Sequence, residues 1–260
     1  MTMNDDIRRQ IVAQVADGSL TPFEAAAKLD QMEAGSRRGA AVADSPRPSE
    51  PLKTVSVSVS LGQVVVIGDS SVREVVADGA HTARRDGDRT VIEGDALNSN
   101  GFTFGNSRGW FKGNHPWKDP LTVRMNPDLA LEVVVQGGKA HVRGVHGPIK
   151  AEVHAGAIDV VGFRAPIDID TEAGTVKAAG RLSGGASHIR CGAGSVRLEL
   201  DRESSLRVTA HSELGQVSLD GDGWRTEPHV DGKGEAAVIG SGAGTLDVDV
   251  TIGGVRLTAS

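Results

Sequence analysis

From Gly137 to the end of the chain one phrase recurs: a glycine, then alternating apolar and polar residues, as in GAIDVVG, GTVKAAG, GSVRLEL, GQVSLDG and GTLDVDV. Alternation with period two marks a β-strand with one face buried, and a glycine at a fixed place in each phrase marks a repeated backbone corner. Gly138, Gly156, Gly174, Gly194 and Gly215 follow one another at intervals of roughly 18 to 21 residues, a period that points to a solenoid. Each interval holds two strand-like pieces, for example AIDVVG and PIDIDT. In these, Ile158, Val160, Ile167 and Ile169 are expected to face inward, and Asp159, Asp168 and Asp170 outward. Two strands per coil predict two parallel sheets facing each other across a thin aliphatic core.

Composition agrees with a narrow interior. Hydrophobic residues make up 38% of the chain but aromatics only 3%, and tyrosine is absent, so the core must be built from Val, Ile, Leu and Ala. The formal charge of −6 is spread along the chain without a basic run, which argues against nucleic acid as a partner. The single cysteine, Cys191, excludes an intramolecular disulfide and a cysteine-based zinc site. The N-terminal MTMNDDIRRQIV lacks the basic and apolar regions of a secretory signal, and no window reaches the roughly 18 apolar residues of a membrane span. The expected location is the cytoplasm, at most peripheral on the inner membrane face.

Three zones are expected: a helical hairpin over residues 1–34, a flexible linker over 35–52 and the β-solenoid over 53–260. In the hairpin, Asn4 caps a first helix with Asp5 and Asp6 in its first turn; Thr21, Pro22 and Glu24 open a second as a capping box. Its apolar face comprises Ile7, Ile11, Val15, Phe23, Leu29 and Met32. A hairpin of about 30 residues cannot bury such a face alone, so it needs a partner surface: a second copy, the β domain or another protein. GSRRGAAVADSPRPSEPLK has no hydrophobic periodicity and reads as the tether. Thereafter Val55, Val57 and Val59 alternate with serines, and Val64–Ile67, VREVVA, RTVIEG and LTVRM read as strands.

Candidate chemistry is sparse. One outward ladder is expected to run Lys150, Asp168, His188, Arg207, with Glu152, Asp170 and Arg190 beside it, the mixed-sign pattern of a solvated sheet. Asp168 and Asp170 as catalytic carboxylates would need a cleft that short coils do not provide. His141, His146 and His154 fall on different strands and a turn, which disfavours a metal site, and Cys191 is expected inward as a small hydrophobe. The glycine-rich IGSGAG and RLSGGAS lack the strand-to-helix setting and lysine of a phosphate loop. No cofactor is implied. A stretch with Phe102, Phe104, Trp110, Phe111 and Trp117 breaks the strand pattern; it suits a binding edge, a membrane-surface contact or a cover for the solenoid's end.

LTVRMNPDLALEVVVQGGKAHVRGVHGPIKAEVHAGAIDVVGFRAPIDIDTEAGTVKAAG resembles the bacterial putative-adhesin β-strand-repeat family, also called toastrack domains. RRQIVAQVADGSLTPFEAAAKLDQMEAG is similar to the YvlB/LiaX-type two-helix domain that often precedes them. The resemblance implies a non-enzymatic scaffold in bacterial envelope-stress systems, with a protein partner, some such partners being membrane-embedded, and no catalytic motif. The aspartate that often follows the family's repeat glycine is Ala, Thr, Ser or Gln in several units, and the aromatic stretch lies outside the family pattern. The alternative function is a small-ligand or glycan-binding solenoid using the aromatic loop 101–117; a third is a filament built by end-to-end stacking.

Overall fold

The computed structural model describes residues 53–94, 120–227 and 234–259, and all regular structure among them is β. The expected hairpin and linker lie outside the described residues. In chain order the strands are β1 (Thr54–Gly68), β2 (Val75–Asp78), β3 (His81–Asp86), β4 (Arg89–Gly94), β5 (Leu121–Met125), β6 (Ala130–Arg143) and β7 (Ile149–Phe163). There follow β8 (Ile167–Gly180), β9 (Ala186–Leu200), β10 (Leu206–Leu214), β11 (Val217–Asp220), β12 (Arg225–Glu227), β13 (Glu235–Ile239) and β14 (Gly244–Ala259). They join in one 14-stranded sheet.

What the sequence suggests as two strands per coil is one long strand bent at its glycine. In β7, Ile149, Ala151 and Val153 are buried in the first arm and Ile158 and Val160 in the second, while His154 to Ala157 turn the corner. The arms must fold back on each other. Ile149 pairs with Ile167, yet Phe163 and Ile167 are joined by three residues spanning at most about 13 Å, whereas each arm is roughly 20 Å long. Inward side chains of both arms accordingly enter one aliphatic cluster, including Ile158, Val160, Ile167 and Ile169 as expected. Asp168 and Asp170 are exposed and Asp159 half-buried on the outside.

The corner glycines stack. Gly62, Gly138, Gly156, Gly174, Gly194 and Gly253 occupy successive rungs. Their φ angles, from 127° at Gly62 to 153° at Gly174, lie where a Cβ is disfavoured. A second constraint is steric: a Cβ on Gly156 would lie 1.9 Å from the Gly138 carbonyl oxygen, and one on Gly174 would lie 1.8 Å from that of Gly156. The periodic glycine is therefore a requirement of stacking one corner on the next.

The order of rungs departs from the order of the chain at both ends. The levels run β4 with β5, then β1, β6, β7, β8, β9, β14, and finally β10 with β11. Gly215 consequently stacks on Gly253, whose carbonyl oxygen a Cβ there would meet at 1.7 Å, and not on Gly194. The outward ladder changes with it. Lys150, Asp168 and His188 are neighbours as expected, but the next rung is Asp247, and Arg207 stands opposite Thr245.

The wholly parallel arrangement expected from the repeat also stops at the ends. Antiparallel strands close the stack: β3 on β4, β2 on β5, β13 on β10 and β12 on β13. They occupy the outer edges of β4, β5 and β10, which would otherwise be open to another sheet, while β11 pairs only with β14 among the described residues. Gly94 pairs with Val59 and Leu121 with Val64, so the chain leaves and re-enters the first level on either side of its corner.

Candidate interaction surface

The groups that chemistry would need do not converge among the described residues. Asp168 and Asp170 are exposed rungs of a sheet face. His141 meets Asp159 at 3.5 Å, His146 meets Asp128 at 3.9 Å, and His154 lies 3.4 Å from Glu152 and 3.0 Å from Glu172, three groupings that share no residue. No group of three His, Cys, Asp or Glu side chains among the described residues is placed to hold a metal ion. Cys191 points inward beside Ile189, where burial first, and then the Asp170 charge, pushes its thiol up. A small hollow near Lys53 and Asp88 is crossed by the Glu74 carboxylate, which takes Lys53 Nζ at 2.7 Å and also pairs with Arg85. Phe102, Phe104, Trp110, Phe111 and Trp117 lie outside the described residues, as do Ile7, Ile11, Val15, Phe23, Leu29 and Met32.

The organised surface feature is instead the column one residue before the corner. Rung by rung it reads Leu61, Gly137, Ala155, Ala173, Ala193, Ile252 and Leu214. Every member is apolar, although the column lies on the outside. Leu61, Ile252 and Leu214 are 50%, 53% and 67% exposed, and the three alanines between them are exposed as well. At about 4.8 Å per rung the crest extends some 29 Å. The neighbouring outward columns of this sheet include charged residues, so an apolar column continuous over seven rungs is the feature of this surface most suited to being covered. The signal was present in the sequence as the residue preceding each corner glycine, but it emerges only when all the corners, including Leu-Gly at 61–62 and 214–215 and Ile-Gly at 252–253, are aligned.

The two faces that meet at the crest differ in sign. From β7 to β14 the first arms display Glu152, Asp168, Asp170, Glu172, Asp247 and Asp249 against Lys150 and Arg190. The second arms display Lys177, Arg197 and Arg256 on three consecutive rungs, between Asp159 at one end and Ser218 at the other, with Glu199 two residues beyond Arg197 on the same face. Arg256 reaches Asp220 at 3.3 Å. Like charges on adjacent rungs repel, so Arg197 stands between two other cations at an electrostatic cost.

No protein-family model matches the chain, and no curated protein does. Among solved structures it is similar to a putative cell adhesion protein from Clostridium sporogenes, at 14% identity over 82% of this chain and 96% of that one, with a TM-score of 0.41.

Proposed function

We propose that the chain is a non-enzymatic interaction scaffold whose β-solenoid presents the apolar crest to a protein partner. The observation that carries this reading is the unbroken apolar column from Leu61 to Leu214, with its three large side chains half or more exposed. Water-facing Leu and Ile in a continuous row gain by being covered, at roughly 25 cal/mol for each Å² removed from solvent. A rigid stack of hydrogen-bonded rungs holds the row straight, so little ordering entropy opposes docking. The finer reading is a cytoplasmic component of a bacterial envelope-stress or membrane-associated regulatory system. It draws its support from the GSLTPFEAA phrase ahead of the strand repeat and the toastrack cadence that the repeat resembles.

The test is a crosslinked pull-down from bacterial cells with the intact chain and its Ile252→Glu and Leu214→Glu variants. A partner captured by the intact chain and reduced at least fivefold by either variant supports the crest. Capture that is equal for all three refutes it, and capture of no protein at all counts against the scaffold reading itself.

A further inference from the structure

Resting on the crest as the interaction surface, we propose that one occupant of the crest is a second copy of this chain, docked crest to crest with the two columns running in opposite directions. The column is self-complementary in size when reversed about Ala173. Leu61 then faces Leu214, Gly137 faces Ile252, Ala155 faces Ala193 and Ala173 faces its own counterpart. The Ile252 side chain thus lies over a residue that has none, while leucines meet at both ends and alanines at the centre let the two corners approach closely. A same-direction pairing would set Ile252 against Ile252 and Gly137 against Gly137, a bulge and a gap along one interface. Because both copies repeat at about 4.8 Å, a match made at the axis holds along the whole crest. The arrangement is a closed two-fold, the commonest symmetry of homo-oligomers.

The flanks permit it. On the second-arm side the crest is bordered by Gln63, Lys139, Ala157, Thr175, Ser195 and Gly254, of which Lys139 alone is charged, and the reversed pairing sets its rung against that of the uncharged Gly254. On the first-arm side Glu172 comes nearest to its own counterpart, and His154 Nδ1, 3.0 Å from Glu172 Oε1, sits one rung away from the axis and partners that carboxylate. A strip about 29 Å long and 10 Å wide covers only some 300 Å² per copy, against about 800 Å² per partner in a standard stable interface. The pairing is therefore weak and reversible, populated at high local concentration.

The experiment uses the full chain with Cys191→Val, which places at that inward position the residue found on the rungs at Val153 and Val250, and one new cysteine at a time. Ala173→Cys, at the axis, is expected to form covalent dimers with a short bis-maleimide at least tenfold faster than Lys177→Cys on the basic face. Leu61→Cys mixed with Leu214→Cys should crosslink faster than either variant alone. Equal rates for Ala173→Cys and Lys177→Cys overturn the proposal, and Leu61→Cys reacting best with itself overturns the opposed direction. Sedimentation velocity up to several hundred micromolar gives the second readout, with the intact chain shifting towards dimer and Ile252→Glu remaining monomeric. An intact chain that stays monomeric while Ile252→Glu still loses a captured protein removes the second copy and leaves the scaffold reading standing; a monomer with no dependence of capture on Ile252 removes both.

Discussion

Replacing Gly174 with alanine should be among the most damaging single-methyl additions this fold can receive, and the structure separates its causes. Gly174 has a φ of 153°, and a Cβ there would sit 1.8 Å from the Gly156 carbonyl oxygen. Leaving glycine's part of backbone space costs an L-residue about 1–2 kcal/mol. Bringing a methyl carbon and an oxygen from 1.8 Å to an ordinary separation needs an opening of more than 1 Å between rungs that stack about 4.8 Å apart. That opening disrupts the ladder on both sides of the corner, and each backbone hydrogen bond lost contributes about 0.5–1.5 kcal/mol. The expected destabilisation is therefore about 4 kcal/mol, in the range reserved for backbone strain and core disruption.

Gly62 supplies the control. Its φ of 127° belongs to the same disfavoured region, but no described atom lies within 4 Å of a Cβ placed there. Gly62→Ala should show the conformational part alone, about 1–2 kcal/mol. Urea unfolding followed by far-ultraviolet circular dichroism, with comparable slopes for the two variants, would give the difference directly. Equal midpoints for Gly174→Ala and Gly62→Ala would refute the steric account of the repeat and leave only backbone conformation.

Three further outcomes follow from the same rungs. Thr171 is 1% exposed and its hydroxyl has no hydrogen-bond partner among the described residues, while the rung before it at the same inward position carries Val153; Thr171→Val should raise stability by about 1 kcal/mol, and a loss of stability would mean the hydroxyl is partnered. Arg197 stands between Lys177 and Arg256, so Arg197→Ala should stabilise by a few tenths of a kcal/mol in dilute buffer and by less in 1 M salt, measured as a shift in thermal midpoint; a gain unaffected by salt would exclude charge repulsion as its source. Asp69 accepts hydrogen bonds from the Ser71 hydroxyl and then its backbone N–H, which hold the carboxyl below its ordinary 3.8. A depressed folded value contributes stability above the ordinary pKa that is lost as pH falls through the folded one, so Ser71→Ala should move the Asp69 titration, followed by NMR, upward towards 3.8, and an unchanged midpoint would remove the hydroxyl as its main cause.

How much of this was legible in advance depended on whether the determining contact lay within a rung or between rungs. Alternation within a strand is a local property, and it placed Ile158, Val160, Ile167, Ile169 and Cys191 correctly because the buried face imposes it residue by residue. The order of levels is not local. The phrases following Gly194, Gly215 and Gly253 carry the same cue, and nothing within any of them states that β14 enters between β9 and β10. For that reason the ladder was readable through Lys150, Asp168 and His188 and failed at the next step, where Asp247 arrives from the far end of the chain. The antiparallel closing strands escaped in the same way, since β3 and β12 are short, largely exposed and without alternation of the buried kind.

The crest shows how a tertiary order can turn scattered residues into a surface. Leu61 and Leu214 are separated by most of the β region in sequence, and each alone is an unremarked exposed leucine before a glycine. The corner glycines align them: because no Cβ fits between neighbouring corners, the rungs are locked in register, and the residue preceding each glycine must fall in a single row. The same steric requirement that makes the repeat periodic thus makes the apolar row straight, which ties the fold's principal constraint to its principal candidate surface. A substitution that breaks a corner should therefore weaken crest-dependent capture as well as stability, whereas Leu214→Glu should weaken capture and leave the unfolding midpoint nearly unchanged.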